Sequence, residues 1–179
     1  MRQDVEQDAD NQYTSVFDSK RIPSITMNDY LNRINYYTSC SLSCYVVALI
    51  YIDKLLQKNP HLILTAINIH RITLSAIILA IKYIDDLYMS NSVYAKIGGV
   101  SLAELNYMEA GMLLLLNYEL YIDPRTYFEY LNELMLQYQK MQEEIERMED
   151  SSEQISKPIR TIGSMGSIYT VNSMQDLAE

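Results

Sequence analysis

Apolar residues at helical spacing fill the middle of the chain, and few stretches alternate apolar with polar residues. Two segments, about 41–57 and about 65–84, are apolar on nearly every side of a helix axis. Such helices are normally surrounded by other helices. Met27, Leu31 and Ile34 place a narrower apolar face before them. The pattern predicts an all-α bundle.

Several residue pairs mark where the helices begin and end. Thr26 with Asp29, and Ser101 with Glu104, have the spacing of a capping box at a helix start. Proline at 124 after Asp123 predicts the start of the last helix. A polar loop is expected over 85–91, then a short helical turn over 94–97 that a Gly-Gly pair stops. We predict five principal helices in a single domain.

The two ends of the chain differ from the middle in charge and periodicity. The net charge of the chain is −9. Residues 1–22 contain five acids and three bases, a net charge of −2, and residues 141–179 contain eight acids and three bases, a net charge of −5. The middle, residues 23–140, therefore has a net charge of only −2. We predict a flexible arm over 1–22, a folded domain over 23–140, and an acidic, Ser-rich tail over 141–179 that is mostly disordered. An i, i+4 pair between Glu143 and Arg147 is expected where the last helix loses its apolar face.

Charge and hydropathy exclude several classes of partner. The nearly neutral body has no basic stripe to release counterions from a nucleic acid, so no DNA or RNA partner is expected. The longest apolar run, 45–52, is too short to span a bilayer, so no membrane partner is expected. The acidic, polar start does not resemble a signal peptide. These features predict an intracellular protein of the cytoplasm, the nucleus or both.

The residues that could support catalysis or metal binding are few. Cys40 and Cys44 lie four apart in a helical stretch, and His61 and His70 form no second close pair. The cysteines are interpreted as small buried apolar residues rather than zinc ligands. No Gly-rich phosphate loop, nucleophile elbow or metal cluster is present in the sequence. We therefore expect no enzymatic activity, cofactor, metal or small-molecule substrate.

From about residue 25 to about 138 the chain resembles a cyclin box, and within that family the phosphate-regulon cyclins of fungi and the U-type or P-type cyclins of plants. The segments that carry the resemblance are IPSITMNDYLNRI, YIDKLL, NIHRITLSAIILAIKYIDDLY, YAKIGGVSLAELNYMEAGMLLLLNYEL and PRTYFEYL. The most specific block covers 94–109. The resemblance implies a single five-helix cyclin box whose third and fifth helices meet a cyclin-dependent protein kinase.

Two charged residues match the kinase-contact pair of cyclins. Lys82 lies in LAIKY and Glu109 lies in YME. An ammonium has only donors and a carboxylate only acceptors, so the pair is suited to bind both carbonyls and N–H groups of a kinase backbone. The alternatives to a kinase contact are that the two residues are solvated surface charges or that they form an internal salt bridge.

The resemblance also implies a set of apolar kinase contacts around this pair. For each of them the alternative interpretation is an ordinary core residue, and for two, Leu79 and Leu113, the two interpretations are evenly balanced. The set comprises Leu79, Tyr83, Leu113, Tyr118 and Leu120.

One structural hallmark of cyclins is present without its usual partner. Asp53 in YID matches an aspartate that usually pairs with an arginine on the first helix. That arginine position holds Asn28, so Arg33 or Arg71 is considered as a replacement, with a simply exposed side chain as the alternative for each.

The substrate-docking groove of cell-cycle cyclins is only partly matched. Met27 and Leu31 are retained, but the tryptophan position holds Ile34 and the glutamine position holds His70. We therefore regard Met27 and Leu31 as weak groove candidates and His70 as a hydrogen-bonded structural histidine.

The resemblance predicts a non-catalytic subunit that binds and activates a cyclin-dependent kinase, in the cell cycle or in phosphate signalling. Two alternatives share the fold, namely a transcription-factor-like module that binds nucleic acid and a scaffold that has lost kinase activation. The near-neutral body argues against the first alternative. Only binding data distinguish the second from a kinase activator.

Overall fold

A computed structural model describes residues 15–155, with side chains as far as residue 149. Six helices follow one another, and no strand occurs among the described residues. They are α1 (Met27–Thr38), α2 (Leu42–Lys58), α3 (Ile69–Ile84), α4 (Asn91–Gly98), α5 (Leu102–Leu115) and α6 (Pro124–Ile155). The all-α prediction is confirmed. The sixth helix arises because the expected short turn is a regular helix, α4, of eight residues.

Local side-chain bonds set the helix starts. Thr26 Oγ1 accepts the N–H of Asp29 before α1. Ser101 and Glu104 form the full capping box before α5. The third helix begins later than predicted because the buried Asn68 side chain accepts the N–H of Thr65 at 2.8 Å and holds 65–68 as a turn. Short polar residues often replace helix with such turns.

Helix α3 forms the centre of the core. All eight residues from Leu74 to Ile81 are buried, so the helix is enclosed for more than two turns. Helices α2, α4 and α5 all contact it. The one polar member of this run, Ser75, donates its hydroxyl to the carbonyl of Arg71, so its burial leaves no unpaired hydroxyl.

Part of the segment predicted as an arm packs into this core. Phe17 is fully buried, and Val16 lies so close to Gly111 that a Cβ at the glycine would be 2.8 Å from Val16 Cγ2. A turn fixes the segment, with the Ser15 N–H bonded to the Asp18 carboxylate at 2.8 Å. The remainder of the arm, residues 1–14, lies outside the described residues.

Helix α6 continues into the predicted tail, and two compact units of the chain meet within it, between Leu131 and Asn132. The expected pair is present, with Arg147 Nη2 and Glu143 Oε2 3.1 Å apart. The rest of the tail, residues 156–179, lies outside the described residues.

The glycine pair at the end of α4 gives a stability prediction. A Cβ at Gly98 would lie 2.3 Å from Cδ2 of the buried Leu74, so Gly98→Ala should overpack the core and lower the free energy of unfolding by about 1–3 kcal/mol. Gly99 has φ of 70° and open space around it. Gly99→Ala should therefore lower the free energy of unfolding by about 1–2 kcal/mol, because alanine is strained in the left-handed backbone conformation. Urea denaturation measures both.

Lys96→Ala on the same helix is the control, because its side chain is exposed and should change stability by no more than about 0.5 kcal/mol. A Gly98→Ala variant as stable as this control would mean that Leu74 moves aside without cost.

Candidate functional site

Lys82 and Glu109 meet where the last turn of α3 passes α5. Lys82 Nζ and Glu109 Oε1 are 2.5 Å apart, and the two side chains are 24% and 15% exposed. The internal salt bridge considered from the sequence is therefore present. Because both groups keep some contact with solvent, a partner that docks here would reach them directly.

Asn91, the first residue of α4, bridges the two ions. Its Oδ1 accepts from Lys82 Nζ at 2.6 Å, and its Nδ2 donates to Glu109 Oε2 at 2.7 Å. Nδ2 also lies 2.8 Å from Asn106 Oδ1 on α5. Three helices thus contribute to one closed network. The sequence pattern predicts Asn91 at the end of a loop, and no spacing signal marks it as part of this site.

The network leaves hydrogen-bonding capacity unused. Lys82 has three donors and uses two of them on described residues, which leaves one N–H. Each oxygen of Glu109 accepts one bond and has a second lone pair. The bonds to Asn91 offset part of the cost of covering the ion pair, which still presents a donor and acceptors to a partner.

The five predicted apolar contacts differ in exposure. Tyr83 is half exposed and Tyr118 is 64% exposed, so both tyrosines offer surface. Leu113 and Leu120 are partly buried and pack against the core. Leu79 is only 4% exposed and belongs to the core, so it offers almost no surface.

The backbone after α5 directs Tyr118 outward. Asn117 and Tyr118 have φ of 55° and 58°, in the left-handed region that a tyrosine rarely adopts. The N–H of Tyr118 donates to the carbonyl of Leu113 at 2.9 Å, which closes the turn. Behind it, the Tyr51 hydroxyl donates to the carbonyl of Leu120 at 2.9 Å and anchors the segment to α2.

A groove of about 460 Å³ extends the exposed surface beyond Tyr83. Its walls come from α2, the end of α3, the segment before α6 and the first turns of α6. The exposed rings of Tyr121 and Phe128 line it together with Tyr83. The groove that Tyr83 lines is therefore rich in exposed aromatic rings.

Comparison with known proteins identifies the family. The model of the Cyclin family matches residues 2–120, about two thirds of the chain. The chain belongs to the cyclin family. Cyclins are regulatory proteins without catalytic activity of their own.

Several curated relatives are plant cyclins. The chain is 41% identical over 128 residues to cyclin-U4-1 of Arabidopsis thaliana, covering 70% of this chain and 63% of that protein. It is 37% identical to cyclin-P4-1 of Oryza sativa subsp. japonica, with 65% of this chain and 55% of that protein covered. Cyclin-U3-1 of Arabidopsis thaliana is 43% identical, with 63% and 51% covered. The chain thus spans between about half and two thirds of the length of these relatives.

Asp53, the candidate for the cyclin hallmark aspartate, pairs with a tyrosine in this chain. Asp53 accepts a hydrogen bond from the Tyr130 hydroxyl on α6 at 2.8 Å. Burial, together with the hydrogen bond and the charge of Asp53, raises the pKa of Tyr130 to about 12.

Neither arginine that the sequence offered pairs with Asp53 among the described residues. Arg33 donates to the carbonyl of Lys96 at 3.1 Å, and Arg71 pairs with Glu104 at 3.0 Å. The hydrogen bonds from Ser101 and the Arg71 partner lower the pKa of Glu104 to about 2.

The weak docking-groove candidates lie against the core of the cyclin box. Met27 and Leu31 are partly buried and pack on it, and Ile34 is buried within it. His70 Nε2 bonds the carbonyl of Ile25 at 3.0 Å, as expected for a structural histidine. Its buried Nδ1 has no partner in the described part of the chain.

Two further findings concern the described residues alone. No group of three His, Cys, Asp or Glu side chains among them is placed to hold a metal ion, and no described helix is long and apolar enough to cross a membrane. Cys40 and Cys44 are free thiols, and burial raises the pKa of the Cys44 thiol to about 12.

Proposed function

We propose that this cyclin binds a cyclin-dependent protein kinase through α3 and α5 and activates it by holding the kinase αC helix inward. The observation that carries the proposal is the Lys82–Asn91–Glu109 network, together with the exposed Tyr83 that follows Lys82 on α3 and the exposed Tyr118 that follows α5. A hydrogen-bonded ion pair with spare donors and acceptors, together with exposed tyrosines on the same helices and their ends, has the composition of a protein-binding hot spot.

Activation needs no chemistry from the cyclin. A protein kinase is active when a glutamate of its αC helix reaches the β3 lysine that binds the ATP phosphates. A subunit that binds the inward αC position better than the outward one shifts the population toward the active state. Changing a rare state into a dominant one requires about 5.5 kcal/mol of differential binding.

The exposed aromatic surface is a source for that energy. Standard protein interfaces bury about 1,600 Å², and a few central aromatic residues provide most of the affinity. Tyr83 and Tyr118 are exposed, and Leu113 and Leu120 are partly buried and pack against the core. These four residues would be the apolar centre of the interface.

The ion pair would determine specificity and register. Once a kinase covers it, the remaining N–H of Lys82 and the lone pairs of Glu109 lose water. They then require a backbone carbonyl and N–H groups at matching positions. A partner without these groups leaves them unpaired, so the pair discriminates against wrong partners more than it adds affinity.

The direct test has two stages. The purified chain is used to capture protein kinases from its native cells, and the captured kinase is then assayed for phosphate transfer with and without the chain. Binding with a rise in activity is the expected result. Binding without activation would favour a scaffold, and failure to bind any cyclin-dependent kinase would refute the proposal. The kinase and its substrates would also distinguish phosphate signalling from cell-cycle control.

A substitution at Tyr118 tests the interface without a change in the stability of the fold. Because its side chain is 64% exposed, Tyr118→Ala should leave the melting temperature unchanged. It should weaken kinase binding by at least about 1 kcal/mol, roughly fivefold, as central aromatic residues do. Isothermal titration with the captured kinase measures the change. Leu113→Ala should weaken binding similarly, but its partial burial adds a loss of stability.

Tyr107 is a matched control on α5, since it is also a tyrosine and also 64% exposed. It lies about 160° around the helix from Glu109. Tyr107→Ala should therefore leave kinase affinity unchanged. Equal affinity losses in the Tyr107 and Tyr118 variants, or none in either, would contradict a kinase interface centred on Tyr118.

A further inference from the structure

The second half of α6 carries a stripe of exposed apolar side chains that the proposed kinase interface does not use. The side chains of Leu134, Tyr138, Met141, Ile145 and Met148 are between 40% and 62% exposed. They follow one another at steps of four, three, four and three residues. Leu131 precedes them by three.

This spacing has the period of a coiled-coil seam. Alternating steps of three and four give a repeat of 3.5 residues, which keeps the stripe against one neighbouring helix along its length. Polar residues flank it, including Gln137, Gln142 and Glu144. The stripe is therefore better suited to contact one long neighbouring helix than the broad surface of a globular domain.

We propose that the stripe binds the same stripe on a second copy of this chain, with the two α6 helices antiparallel. In antiparallel coiled coils each a position faces a d position. With Leu134 as d, that register pairs Leu134 with Ile145, Tyr138 with Met141, and Leu131 with Met148. Every seam residue finds an apolar partner within the same set, as a two-fold interface requires.

Charge selects the antiparallel direction. Residues 143–149 contain four acids and one base, whereas 130–136 contain a single acid, Glu133. A parallel pair would place the two acidic segments side by side, and like charges on neighbouring helices repel. The antiparallel pair places each acidic segment beside the nearly neutral one. Flanking contacts then bring Gln137 near Glu144 and Met135 near Gln142, without like charges.

Sedimentation of the full chain over about 1–100 µM tests the dimer. We expect a monomer–dimer equilibrium within this range, since the seam is only about two and a half heptads long. Ile145→Glu places a charge in the seam while keeping a good helix former, so it should be monomeric throughout. Gln139→Glu adds the same charge to α6 outside the stripe and should dimerise like the parent chain.

Two outcomes overturn the proposal. A parent chain that stays monomeric at 100 µM would show that the stripe does not bind a second copy of this chain. A dimer that Ile145→Glu does not weaken would use another surface. Circular dichroism on both variants verifies that α6 remains helical. Because the stripe and the kinase surface share no residue, neither result depends on kinase binding.

Cysteine cross-linking tests the direction of the helices in a chain with Cys40 and Cys44 replaced by serine. A mixture of Leu134→Cys and Ile145→Cys chains should form a disulfide between the two variants. A disulfide between two Leu134→Cys chains would indicate parallel helices and contradict the proposed register.

Discussion

Single alanine substitutions at Lys82 and Glu109 are expected to weaken kinase binding by roughly 2–5 kcal/mol each. Either change removes one partner of an ion pair that the kinase would cover, and leaves the other charge desolvated and unpaired. The double substitution should cost much less than the sum of the two single ones, because the unpaired charge is then absent. Titration calorimetry on the four proteins of the cycle measures the coupling.

The structure changes what is expected of the unbound chain. From the sequence alone, exposed charges at 82 and 109 would contribute little to stability. Because the two side chains are paired and mostly covered, each single variant should also lower the free energy of unfolding. This loss, expressed in kcal/mol, should be smaller than the loss of binding free energy. Arg125→Ala breaks an ion pair whose side chains are 86% and 62% exposed, and is the control that should change neither quantity measurably.

The outcomes separate two roles of the pair. Unchanged affinity in both single variants would refute the interface. Losses in stability and affinity of equal size would assign the pair to the fold alone. An affinity loss well above the stability loss would support recognition of the kinase backbone.

Phe17→Ala should lower the free energy of unfolding by about 3–5 kcal/mol, the range for a fully buried aromatic side chain. The ring belongs to the main core, so its loss leaves a cavity that the surrounding helices fill only partly. Denaturation in urea, followed by circular dichroism, measures the change. Ile22→Ala is the control, since that side chain is exposed and its loss should cost no more than about 0.5 kcal/mol.

This comparison locates the true start of the folded domain. If Phe17→Ala unfolds at the same urea concentration as the parent, residues 15–22 are an arm, as the sequence analysis predicted. A large loss in the free energy of unfolding would show that the folded domain includes Phe17.

The parts of the fold that the sequence predicted correctly depend on nearby residues. The caps at Thr26 and Ser101 involve side chains three residues away, so their pattern is visible in the sequence. Phe17 was missed because one aromatic residue in a polar stretch has no periodicity. The bond between Asp53 and Tyr130 joins residues 77 positions apart, which no local pattern indicates.

The candidate site was predicted through family resemblance rather than physics. Spacing alone did not distinguish Lys82 and Glu109 from other charges, and the direct contact between them remained one of several alternatives. Asn91 could not have been found without the fold, because its role depends on α3, α4 and α5 meeting at one point.

The network around Asn91 also has an entropic consequence. A free lysine side chain loses up to about 2 kcal/mol of rotamer entropy when it is fixed in one position. In this chain, Lys82 is already held by Asn91 and Glu109, so that loss occurs when the domain folds. A partner would meet a rigid, already ordered ammonium, and association would resemble the docking of two preformed surfaces rather than a search among side-chain conformations.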